Sequence, residues 1–161
     1  MTVTPTYTLI DTRTLATAET SVTFGSISAT GKGDLVLVVT AQASADSLAF
    51  IEFNSDTTAA NYSFVYTLGN GSSGVSGSGD AFPLMPFNTS TYSQATVQVM
   101  DFAASDKHKT SLVRDSESGN VVVMRAVRWA NTSPITSLKF KTGSGNFAIG
   151  STFHLYQIVS E

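Results

Sequence analysis

Asp34-Leu35-Val36-Leu37-Val38-Val39-Thr40-Ala41 follows the turn sequence Gly31-Lys32-Gly33. The run is β-branched and apolar, and too short for a typical helix, so it reads as a strand. Working outward, comparable runs occupy Tyr7 to Ile10, Ser21 to Phe24, Leu48 to Phe53, Tyr62 to Leu68 and Ala95 to Phe102. Further runs are Lys109 to Arg114, Val121 to Trp129, Ile135 to Lys141 and Phe153 to Val159. About ten strands separated by turn residues predict an all-β sandwich or barrel. In Thr136 to Lys141, Leu138 and Phe140 point one way and Lys139 and Lys141 the other, as in a strand with one wet face. Phe153 to Val159 and Val121 to Trp129 carry apolar groups on both faces, which suits central strands or strands covered by another subunit. Asp11 to Glu19 is a weak helical candidate, resting on the four-residue spacing of Leu15 and Glu19.

The chain has 161 residues, 42% hydrophobic and 13% charged, with no cysteine and a formal net charge of −3. Ser and Thr number 22 each. So apolar a chain is not a disordered tail. It lacks an 18-residue apolar run, so no membrane span is predicted. Met1 to Thr6 shows neither the basic nor the apolar part of a signal peptide. Without cysteine there is no disulfide, zinc-thiolate site or thiol nucleophile. Mild acidity argues against a surface built to neutralise phosphates, so no direct nucleic-acid partner is expected. One domain over residues 1–161 is expected, with residues 1–6 as an extended arm because Pro and β-branched residues favour extended backbone. Residues 1–80 carry seven acids and two bases, net −5, and residues 81–161 carry five acids and seven bases, net +2. Such halves can attract one another across copies or dock on a charged shell, or they are ordinary scatter.

Several motifs resemble chemistry and have plainer readings. Gly69-Asn70-Gly71-Ser72-Ser73-Gly74 matches G-x-G-x-x-G, but Val75-Ser76-Gly77-Ser78-Gly79 cannot open the helix a dinucleotide site needs. The expectation is a flexible loop from Gly69 to Gly79, with Asn70-Gly71 as a tight turn. His154 lies in a strand and His108 in a charged turn, without the clustered ligands a metal needs. No G-x-S-x-G elbow is present, so the chain is read as no enzyme and as binding no cofactor or metal. Glu52, Asp56 and Asp80 can meet at loop ends, although solvated turn carboxylates are the simpler account. Four N-x-S/T sequons, at Asn61, Asn70, Asn88 and Asn131, are matches that 44 hydroxyl residues produce by chance. Trp129 closes its strand as a core-edge residue or an interface anchor.

The final third carries a resemblance. Arg128-Trp129-Ala130-Asn131-Thr132-Ser133-Pro134-Ile135-Thr136-Ser137-Leu138 leads to Gly143-Ser144-Gly145-Asn146-Phe147-Ala148-Ile149-Gly150-Ser151-Thr152-Phe153-His154-Leu155-Tyr156. This W-x-N-T-x-x-I-T-x-L and G-S-G-N-F-x-x-G-S-T-F-x-L-Y pattern resembles β-sandwich structural proteins of tailed bacteriophages. Ser21-Val22-Thr23-Phe24, Phe53-Asn54-Ser55-Asp56 and Ala60-Asn61-Tyr62-Ser63 fit the same family. The resemblance implies a jelly-roll-like antiparallel sandwich and a cement or decoration protein on the capsid exterior, made in the bacterial host cytoplasm. It implies a homotrimer bound to major capsid protein. The alternative it leaves is a tail-fibre or receptor-binding module for a host glycan. Expected contact residues are Thr4, Pro5, Tyr7, Asn70, Tyr92 and Trp129. Within the pattern, Gly143 to Asn146 is a permissive turn that lets Phe147 return to the core.

Overall fold

The computed structural model describes residues 6–30, 33–117 and 121–159. Thr4 and Pro5, and with them most of the expected arm, lie outside the described residues. The elements are twelve strands: β1 Tyr7–Thr14, β2 Ser21–Phe24, β3 Gly33–Ala41, β4 Ser47–Phe53, β5 Tyr62–Gly69 and β6 Gly74–Gly79, then β7 Pro83–Phe87, β8 Ser93–Val99, β9 Lys109–Glu117, β10 Val121–Trp129, β11 Leu138–Thr142 and β12 Thr152–Val159. A single 3-10 turn spans Ala59–Asn61. No helix among the described residues is long and apolar enough to cross a membrane.

Two antiparallel sheets result, in the orders β1-β12-β3-β8-β9-β10-β5-β6 and β2-β11-β4-β7. Setting aside β5, β6, β9 and β10 leaves β1-β12-β3-β8 facing β2-β11-β4-β7. This is a long antiparallel ribbon rolled up on itself: β4 pairs with β7, β3 with β8, β2 with β11 and β1 with β12. Folding a ribbon this way alternates its rungs between two sheets and makes the eight-stranded jelly roll. The expected sandwich is therefore present, with two insertions. One follows β4 and supplies β5 and β6. The other follows β8 and supplies β9 and β10. Both add to the same edge, and β10 pairs with β5 in unbroken register from Trp129↔Tyr62 to Val122↔Gly69.

Two local readings are corrected. Asp11 to Glu19 is not helical: the chain stays extended to Thr14 because β1 pairs with β12, with a bulge between Leu9 and Asp11. Gly69 to Gly79 is not a loop throughout: β6 pairs with β5 from Gly69↔Gly74 to Phe64↔Gly79. The added strands are β6 and β7. Proline inside β7 fits its position at the edge of the smaller sheet.

The core lies between the sheets. The inward members of β3 (Leu35, Leu37 and Val39) meet those of β4 and β11 (Ile51, Phe53 and Phe140), all essentially unexposed. Phe147 does return from the turn after β11. Its ring stacks on Phe140 at 5.2 Å and meets Phe153 edge-on at 5.3 Å. Each such ring removes apolar surface worth about 2–3 kcal/mol from water. Gly145 sits at φ +68°, a conformation that glycine adopts without strain.

Candidate interaction surface

The expected contact residues do not gather into one site. Tyr7 and Asn70 lie at opposite edges of the eight-stranded sheet: Tyr7 opens β1, and Asn70 lies in the turn between β5 and β6. The Asn70 Oδ1 accepts hydrogen bonds from the backbone N–H of Ser72 and Ser73, so its side chain shapes the turn. Tyr92, in the β7–β8 connection, is exposed and donates its hydroxyl to the Ile149 carbonyl at 3.2 Å. Trp129 is corrected: at 1% exposure it has no surface to offer a partner. Its indole packs against Tyr62 and Phe53, and its Nε1–H is donated to Asp56 Oδ2 at 2.8 Å. The core-edge reading of this residue is the right one.

The sequons also acquire a local reason. Asn88 Oδ1 accepts from the N–H of Ser90 and Thr91, and Asn131 Oδ1 from that of Ser133. With Asn70, these are Asx turns, in which an asparagine oxygen takes the place of a backbone carbonyl.

The carboxylates named from sequence serve separate tasks. Asp56 binds Trp129, Asn61 Nδ2 and the Thr58 N–H. Burial raises its proton affinity, yet these donors more than offset it, and its pKa lies below the usual value. Glu52 is buried on the outer side of the smaller sheet and pairs with Lys141 and, at 3.8 Å, with Lys139. Glu52 and Asp56 line one hollow of about 280 Å³ with Phe50, Tyr62 and Lys141. Asp80 is exposed. Among the described residues no group of three metal-ligating side chains converges. His154 Nδ1 lies 2.6 Å from Thr12 Oγ1, which ties β12 to β1.

Three further charged side chains are buried for structural reasons. Lys109, fully buried, donates from Nζ to the carbonyls of Ala104, Lys107 and Thr132 at 2.6, 3.2 and 3.1 Å. Burial lowers its pKa. Arg125 and Asp115 form an ion pair on the inner side of the extension. Burial lowers the Arg125 pKa, against the pull of Asp115.

What remains open is the outer face of the larger sheet. Strand alternation sends Val123, Val127 and Trp129 of β10 inward and Val122, Met124, Ala126 and Arg128 outward. The register places Leu112 of β9 and Val65 of β5 on either side of Ala126. Val65 is 58% exposed and Met124 55%, with Leu112 and Val122 similarly open. Val65, Leu112 and Met124 border, with Arg114, a shallow groove of about 450 Å³. The outward positions of β8, β9, β10 and β5 include Arg114 and Arg128, while carboxylates stand at the margins: Asp34 accepts from Gln98 Nε2 at 2.7 Å, and Asp80 shares a hollow with Arg128. An exposed apolar patch rimmed by polar and charged groups is the usual signature of a protein-contact surface. No protein-family model, curated protein or solved structure matches the chain.

Proposed function

We propose that the chain is a structural protein of a bacteriophage virion, a decoration protein that seats on the capsid exterior as a homo-oligomer, a trimer in the simplest case. Its task is mechanical. The outer face of the larger sheet covers the junction between neighbouring major capsid subunits and adds buried interface there. An interface of about 1,600 Å² at each junction, repeated over a symmetric shell, resists internal pressure without any reaction. The observation that carries this reading is the exposed apolar face bearing Leu112, Met124 and Val65 beside Arg114 and Arg128. The jelly roll and the sequence resemblance support it. Few long charged side chains also mean little conformational entropy to lose when surfaces meet.

Cryo-electron microscopy of purified virions tests the proposal. Density for the chain is expected at repeated sites on the shell, with the β8–β10 face inward. A Leu112→Glu/Met124→Glu variant is expected to leave the shell bare while remaining folded. Density confined to the tail, or undiminished binding of that variant, overturns the reading; in the first case the glycan-binding alternative takes its place.

A further inference from the structure

The two edges of the eight-stranded sheet differ in kind. Among the described residues, the β6 edge, Gly74 to Gly79, pairs with β5 alone, and the strand has no bulge, proline or charge. Proteins usually blunt a free edge with such devices, because its unpaired N–H and C=O groups are a template for another strand. On its inner side, glycine is required by close approach. A Cβ on Gly77 would lie 2.6 Å from the Tyr66 ring, and one on Gly79 2.8 Å from the Phe64 ring. The rings from β5 therefore pave the edge strand and hold it flat. The β1 edge is the converse. Its first half presents Tyr7, Leu9 and Ile10 to solvent, with Tyr7 56% and Leu9 51% exposed. Only its second half is protected, by the bulge after Leu9 and the Asp11–Arg13 ion pair at 2.8 Å.

We infer that the partner for the β6 edge is the β1 edge of a second copy of this chain, so that copies join edge to edge and extend the larger sheet from one protomer into the next. Direction agrees. Every neighbouring pair in the sheet is antiparallel and the strands number eight, so β1 and β6 run oppositely. A copy related by rotation about an axis along the strands brings its β1 antiparallel to β6, without turning the sheet over. Shape agrees too. The rung holding Leu9 crosses the sheet through Tyr156, Val36 and Val65 and ends on Ser78. A neighbour's Leu9 set beside Ser78 passes over that small residue to reach Val65. Tyr7, Leu9, Ile10, Val65 and Val75, from 37% to 58% exposed, lie along such a seam and would be covered by it together with the two strand backbones. The contact is heterologous, using different surfaces on the two copies, and such contacts close into rings when the rotation allows. The inference deepens the homo-oligomer in the proposed function and is independent of where that oligomer docks.

The cysteine-free chain makes the test clean. Leu9→Cys/Ser78→Cys, with Leu9→Cys/Ser76→Cys to cover a two-residue slip, is oxidised and run on non-reducing gels. Light scattering gives the mass of the unmodified chain. The expected result is an oligomer in solution and disulfide-linked multimers only when both cysteines are present. Ser78→Lys, which charges the edge, is expected to give a folded monomer by circular dichroism and light scattering. A monomeric unmodified chain, cross-linking by Ser78→Cys alone, or an oligomer undisturbed by Ser78→Lys each overturns the inference. An oligomer that passes these tests but never appears on capsids instead removes the virion reading and leaves the interface intact.

Discussion

Lys109→Met removes an ammonium from a cage of carbonyls and keeps most of the side chain's length. Lys109 opens β9 opposite Trp129, and its three acceptors belong to the β8–β9 connection and to the segment before β11. The side chain thus ties two long crossovers of the roll together. Hydrogen bonds from a charged donor contribute about 1.5–3 kcal/mol each, and the desolvation of the ammonium opposes them. Removing the donor leaves three carbonyls without it. Each buried carbonyl left without a donor costs about 1–3 kcal/mol, and relief of the ammonium's desolvation offsets part of the sum, so the loss is about 3–5 kcal/mol. Urea unfolding followed through the fluorescence of Trp129, the chain's one tryptophan, measures it. At a slope of about 2 kcal/mol/M, the midpoint falls by roughly 2 M with the slope unchanged. The pH dependence supplies a second reading. Burial lowers the folded-state pKa of Lys109 below 10.5. Between the lowered value and 10.5 the unfolded chain holds a proton that the folded chain does not, so stability rises with pH across that window. The Met variant loses this rise. A destabilisation under about 1 kcal/mol with an unaltered alkaline profile would falsify the assignment of Lys109 as the joint.

Other substitutions probe separate parts of the fold. Burial pushes the Tyr62 pKa up to about 12. Between pH 10 and that value the unfolded state loses a proton the folded state keeps, so stability drops by about 2–3 kcal/mol. Tyr62→Phe should abolish that drop in alkaline unfolding curves. At neutral pH it should cost about 1–2 kcal/mol, for the bonds with the Phe53 N–H and the Asp56 carbonyl. Asp115→Leu alone strands Arg125 and should destabilise by about 3–5 kcal/mol in calorimetry, whereas Asp115→Leu/Arg125→Met should return to within about 1–2 kcal/mol of the original. Gly145→Ala places a Cβ 2.7 Å from Ser44 Oγ at φ +68°, so a loss of about 1–2 kcal/mol and a fall of several degrees in Tm are expected. An unchanged Tm would show that the turn can rearrange.

The strands most legible in the sequence are those whose side chains specify them. Asp34 to Ala41 has the β-branched run of a strand, and Leu138 to Lys141 the alternation of one with a wet face. β6 was not legible, because Gly-Val-Ser-Gly-Ser-Gly has no strand propensity of its own. It is extended because β5 offers a free edge and aromatic rings to cover the glycines. β7 was hidden by its prolines, and the end of β1 by a four-residue spacing that pairing with β12 overrides. The surface was harder to read than the core. Alternation in Val121 to Trp129 shows two apolar faces but not which one the smaller sheet covers, since that depends on strand order set by residues far apart. Trp129 and Asp56 are 73 positions apart, and only the roll brings the indole to the carboxylate.

The inserted hairpin has a consequence for how the molecule opens. β5 and β6 are held to the rest of the sheet through β10, across a sequence separation of about sixty residues, while the eight rolled strands close without them. The chain is thus built as a frame with a hinged leaf. Beyond Tyr62, which stays bonded to the Phe53 N–H and the Asp56 carbonyl, the leaf is expected to lift from the β10 edge while Phe140, Phe147 and Phe153 stay packed. Amide hydrogens of Val65 to Ser78 should then exchange by this local opening, ahead of those in β3 and β12, which wait for the frame to unfold.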